Sequence, residues 1–102
     1  MSKPYVSHEE ATIESFKKDP DYAAEYLNAV LEDGDQEELM LALRRVASAF
    51  GMKDVAETAN LNPKTLYRTL SSAGNPELKS FQAILGAMGM RLAVTPMTRE
   101  HQ

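Results

Sequence analysis

The 102-residue chain contains no cysteine, which excludes disulfide frameworks and thiolate chemistry together. It has no apolar run of roughly 18 residues, the length that marks a membrane-spanning helix. The opening stretch "MSKPYVSHEEATIESF" lacks the apolar core of a secretory signal. These absences predict a cytoplasmic protein with no membrane partner. Histidine is scarce: His8 and His101 stand near opposite ends, without ligands at metal-site spacing. "HEEATIE" lacks the second histidine of a zinc-protease helix, so Glu9, Glu10 and Glu14 are read as amino-terminal dipole partners. There is no glycine-rich phosphate loop, and Ser48 and the serines of "TLSS" have no histidine base placed by sequence. No metal, no cofactor and no enzymatic activity are expected. Repeats, low-complexity tracts and long linkers are also missing, so the length points to one compact domain.

Hydrophobic residues make up 43% of the chain and charged residues 25%, values that suit a folded domain. The net charge of −4 speaks against nucleic acid, but the charge is unevenly placed. Residues 1–51 carry five Lys/Arg against eleven Asp/Glu, whereas residues 52–91 carry five against three. A DNA-binding face requires local positive potential, not a basic whole.

Helical signals follow one another with short joints. Ser7 and Glu10 form a capping-box pattern for a first helix with Ile13 and Phe16 on its apolar edge. Asp19-Pro20 starts a second, with a stripe of Ala23, Tyr26, Leu27, Val30 and Leu31 that stops at Gly34. The acids Asp33, Asp35, Glu37 and Glu38 are too short a run for a calcium loop. They are read as capping plus a solvated face, with Asp35 and Glu38 opening a third helix (Leu39, Leu43, Val46, Ala47, Phe50). Gly51 stops it. Residues 52–60 and 63–72 give two short helices, the first with Val55, Ala56 and Ala59 inward and the second with Leu66 and Leu70. Asn75-Pro76 repeats the cap-then-proline signal before a helix carrying Leu78, Phe81, Leu85 and Met88, ended by Gly89. Gly86 inside that helix is unusual by propensity. Tyr22 and Tyr26 are spaced for helix packing, and Met40, Met52, Met88 and Met90 are expected in the core. Residues 91–95, "RLAVT", alternate as a short strand. A lone strand needs a partner, which points to a two-fold pairing through Leu92 and Val94; the alternative is an extended tail on the helices. The expected architecture is thus all-α: five to six helices plus a carboxyl-terminal strand. Residues 1–18 form a capped arm, 19–96 the domain and 97–102 a flexible tail.

The joint inside "VAETANLNPKTLYRTLSSAGNPELKS" has the ingredients of a helix-turn-helix over residues 52–72. Ala56 is small where the second helix crosses, Asn60 tolerates a left-handed backbone, Leu61 plugs the turn, and Asn62-Pro63 opens the second helix. Leu66 and Leu70 lie about 40° apart around that helix, with Lys64, Arg68 and Ser71 near the opposite side and Thr65 and Tyr67 on the flanks. Such groups bond phosphates and base edges. An ordinary solvated helix face would carry the same Lys64 and Arg68, but the small crossing residue, turn and cap all agree with one geometry.

From Leu39 to Thr95 the chain resembles the repressor-type (Xre/lambda-like) helix-turn-helix proteins of bacteria and phages. More narrowly, "DPDYAAEYLNAVLEDGD", "LALRRVASAFGMKDVAETANLNPKTLYRTLS" and "GNPELKSFQAILGAMGMRLAVTP" are similar to the addiction module antidote group, the antitoxins of type II toxin–antitoxin systems. The resemblance covers about residues 19–96, with Asn60 where many relatives have glycine. It implies a cytoplasmic, dimeric antitoxin. Such a protein neutralises a small basic toxin similar to RelE-type ribonucleases and binds the double-stranded operator DNA of its own operon. It implies Lys53, Asn62, Lys64, Thr65, Tyr67 and Arg68 as DNA contacts, with Asn75 and Lys79 as phosphate ligands, and no particular toxin-binding residues. The other reading is a protein-only interaction module whose acidic first half grips a basic partner without reading DNA.

Overall fold

The computed structural model describes residues 14–71 and 73–97. Residues 14–18 are helical and Asp19 breaks them. Its carboxylate accepts a hydrogen bond from the Tyr22 N–H at 3.2 Å, and with Pro20 next it starts helix α1, Pro20–Asp33. Helix α2, Gln36–Phe50, opens on a reciprocal capping box. The Glu38 N–H donates to Asp35 Oδ1 at 2.9 Å and the Asp35 N–H to Glu38 Oε1 at 2.9 Å. A cap of this kind is worth about 1 kcal/mol. At Gly51, with φ 101°, the chain turns straight from α2 into α3, Met52–Thr58. Helices α4, Pro63–Thr69, and α5, Leu78–Ala87, complete the fold. The expected signals at Ser7, His8, Glu9, Glu10, Ile13 and His101 lie outside the described residues.

Helix α3 occupies the centre, packed against α2, α4 and α5, while α1 lies on α2. Its inward residues are small or β-branched: Val55 and Ala56 are buried, as is Ala59 just after the helix. Small side chains let three neighbours approach one short helix. Around it are the buried Phe16, Met40, Leu43, Val46, Leu66, Leu70 and Ile84. Full burial of a side chain such as Leu66 contributes about 1.5–3 kcal/mol. Met40 and Met88 are buried and Met52 and Met90 half-buried against the same core. Tyr22 and Tyr26 pack on the Phe16 ring, with centroids 5.4 and 4.7 Å away. Gly86 is exposed, and a Cβ there would meet nothing within 4 Å.

Two expectations need correction. No strand occurs among the described residues; residues 90–97 run without regular structure. Alternation specifies an extended chain, but a strand exists only when a second one accepts its hydrogen bonds, and this chain supplies none among those residues. Nor do Asn75 and Pro76 start α5. The cap position is Glu77, without a side-chain bond, and the first helical residue is Leu78. The Asn75 Oδ1 instead accepts a hydrogen bond from Gln36 Nε2 at 3.2 Å, and the same nitrogen donates to the Gly74 carbonyl at 2.9 Å. Gly74 is dictated by space: a Cβ there would lie 1.9 Å from the Thr69 carbonyl oxygen.

Candidate nucleic-acid interface

The joint between α3 and α4 is built by backbone hydrogen bonds. The Asn60 N–H donates to the Glu57 carbonyl at 3.1 Å and the Leu61 N–H to the Ala56 carbonyl at 2.8 Å. With Ala59 as the cap, this pair of bonds is a Schellman motif, which requires a left-handed residue just past the cap. Asn60 takes that conformation, with φ 62°, the only positive φ among the described non-glycine residues. Leu61 is half-buried against the core. The Asn62 side chain accepts a hydrogen bond from the Lys64 N–H at 2.8 Å, and Pro63 fills the first helical position. Sequence alone thus anticipates the turn and the cap.

Leu66 and Leu70 are buried, so α4 presents its other side outward. Lys64, Tyr67 and Arg68 are exposed there and Thr65 is half-buried. Asn62 is exposed, but its side-chain oxygen is occupied in capping. Ser71 closes the far end of the helix, its hydroxyl donating to the Arg68 carbonyl at 2.8 Å.

Tertiary packing extends this face beyond α4. The Arg44 guanidinium of α2 lies over the Tyr67 ring, 5.1 Å from its centroid, a cation–π contact worth about 0.5–1 kcal/mol at an exposed site. Tyr67 therefore serves first as a shelf that holds a third cation beside Lys64 and Arg68. The one sequence signal for Arg44 is the pair Arg44-Arg45 within the acidic first half of the chain. Arg68 and Asn75 line one notch at the end of α4. Lys53 and Lys79 are exposed in the first turns of α3 and α5, and the structure records no hydrogen bond or ion pair joining them to this group. Among the described residues, no group of three or more His, Asp or Glu is placed to hold a metal ion, and no helix is long and apolar enough to cross a membrane.

Fold and surface together define a small helical domain in which a tight two-helix joint exposes a cationic face. The chain belongs to the addiction module antidote family: the family model described as "Probable addiction module antidote protein" matches residues 9–96. It is also similar to an uncharacterized protein of Haemophilus influenzae, with 30% identity over 69 residues, covering 68% of this chain and 71% of that protein. No solved structure matches the chain significantly.

Proposed function

We propose that the chain is the antitoxin of a type II toxin–antitoxin module and that, as a cytoplasmic homodimer, it also represses its own operon through a repressor-type helix-turn-helix. Family membership supports the antitoxin role. The observation that carries the DNA half is the α3–α4 joint: its left-handed Asn60 turn buries Leu66 and Leu70 and leaves Lys64, Tyr67 and Arg68 outward. Lys64, Thr65 and Arg68 reach base edges and phosphates from α4, in the manner of a recognition helix. Arg44 adds a phosphate contact from its place over Tyr67, and Lys53, Asn75 and Lys79 hold the flanking backbone. Asn62 contributes by fixing the start of the helix. Two copies related by a two-fold axis place their α4 helices in successive major grooves, about 34 Å apart.

Footprinting on the DNA upstream of its own gene tests the reading. Arg68→Ala is expected to lose protection while leaving stability within about 0.5 kcal/mol, because the side chain is exposed. Unchanged protection by this variant would remove α4 as the reader. One observation favours a second reading, a protein-only module that grips a basic partner: residues 19–43 hold eight Asp/Glu and no Lys or Arg. A stable complex with the toxin and no DNA shift even at low salt would select it.

A further inference from the structure

On the acidic side of the molecule, a groove of about 600 Å³ runs between α1, α2, α5 and the segment after α5. Leu31, Leu39, Phe81 and Leu92 are among its apolar lining, and Leu31 remains 47% exposed. Asp21 and Glu32 stand among the same lining residues, with Arg91 as its one cation. Of the eight acids in residues 19–43, Asp21 and Glu32 reach this lining, while Asp33 and Glu38 line a separate notch. An apolar channel whose charged lining is two acids against one arginine disfavours DNA and anionic lipid. It also disfavours a second copy, which would bring the same acids to the contact.

We infer that this groove is the toxin-docking surface and that its occupant is a basic amphipathic segment, apolar on one side and rich in Lys or Arg on the other. Such a segment lays its apolar side on Leu31, Phe81 and Leu92 while its cations meet Asp21 and Glu32, the helix-in-groove mode of recognition. Charge sets the partner and its arrival rate, and apolar contact supplies the holding. The inference rests on the toxin-binding half of the proposed function and is independent of the DNA half.

The test uses two labelled peptides of about 14 residues, roughly four helical turns. One is built from Leu and Lys in an amphipathic pattern; the other keeps the Leu positions and replaces each Lys by Glu. Fluorescence anisotropy with the full chain is expected to show the Lys peptide binding at least about tenfold more tightly. Leu31→Ser and Glu32→Lys are each expected to weaken it about fivefold or more. Glu57→Lys changes net charge equally from an exposed position on α3, which contributes nothing to the groove, and is expected to weaken it less than about twofold. Equal binding of both peptides would overturn the inference, as would equal losses from Glu32→Lys and Glu57→Lys. So would burial of the groove by self-association, seen as concentration-dependent hydrogen-exchange protection of Leu31 in the chain alone. Toxin capture by the Leu31→Ser/Glu32→Lys double variant at full strength would refute the groove and leave the antitoxin role standing. Peptide binding without capture of the co-expressed neighbouring toxin would do the reverse.

Discussion

Asn60 shows how one residue sets the angle between two helices. The chain uses the same Schellman ending twice, after α3 with Asn60 at φ 62° and after α5 with Gly89 at φ 78°. At the second site the Met90 N–H donates to the Leu85 carbonyl and the Gly89 N–H to the Gly86 carbonyl. Glycine enters the left-handed region freely; a residue with a Cβ gives up about 1–2 kcal/mol, less for asparagine, whose side chain tolerates it best. Asparagine at the turn is therefore a small strain and no obstacle to the joint. Asn60→Gly is expected to raise stability by less than about 1 kcal/mol, because glycine's extra freedom in the unfolded chain offsets part of the relief. Asn60→Val is expected to lower it by about 1–2 kcal/mol. Urea unfolding measures both. Equal stability of the Gly and Val variants would mean that the left-handed turn is not formed in solution.

At the scale of the element, α4 is a seven-residue helix that could not persist alone; its position comes from Ala56 below and Asn62 at its start. Ala56 is wholly buried on α3, which packs against α4. Ala56→Leu adds volume that the crossing cannot take, costing about 1–3 kcal/mol. Where the variant stays folded, it is expected to displace α4 and weaken operator binding although it touches no DNA. Asn62→Ala loses the cap, about 1 kcal/mol. Thermal unfolding alongside gel-shift titration separates these effects from that of Arg68→Ala, which is expected to reduce binding alone. An Ala56→Leu chain with native stability and native binding would argue against a close crossing. The helix starts at Asp19-Pro20, Asp35 and Asn62-Pro63 were legible in the sequence because a cap is closed by residues two or three positions away. The cap-like Asn75-Pro76 does not start α5, because the Asn75 acceptor is taken by Gln36, 39 positions distant. The role of Arg44 is equally invisible to local pattern, since its partner Tyr67 lies on another helix. The groove is composed from three helices and the segment beyond them, and no one of them carries its pattern. The residue pattern of 91–95 fixed alternation without a partner, so it could announce a strand but could not make one.

Across the whole molecule, charge is segregated along the chain. Residues 19–43 are acidic without exception among their ionisable Asp, Glu, Lys and Arg, while Lys64, Arg68 and the Tyr67-held Arg44 gather around α4. A chain of net charge −4 approaches DNA against an overall repulsion, so operator binding depends on short-range contacts at one face. Salt then has two separable effects. Repulsion from the distant acids is screened within a Debye length of about 10 Å at 0.1 M salt, whereas counterions released at each phosphate contact set the slope of log K against log salt, about −0.9 per contact. Lys64→Ala removes one phosphate contact from each copy of the dimer and is expected to weaken binding and to make the slope shallower by about two. Glu25→Gln, exposed on α1, is expected to raise affinity slightly at low salt only, the gain vanishing as screening sets in. Titrations over a salt series with the three chains, unmodified and variant, measure both quantities. If the Lys64→Ala slope equals that of the unmodified chain, Lys64 neutralises no phosphate, and the exposed side of α4 at that position is a solvated surface.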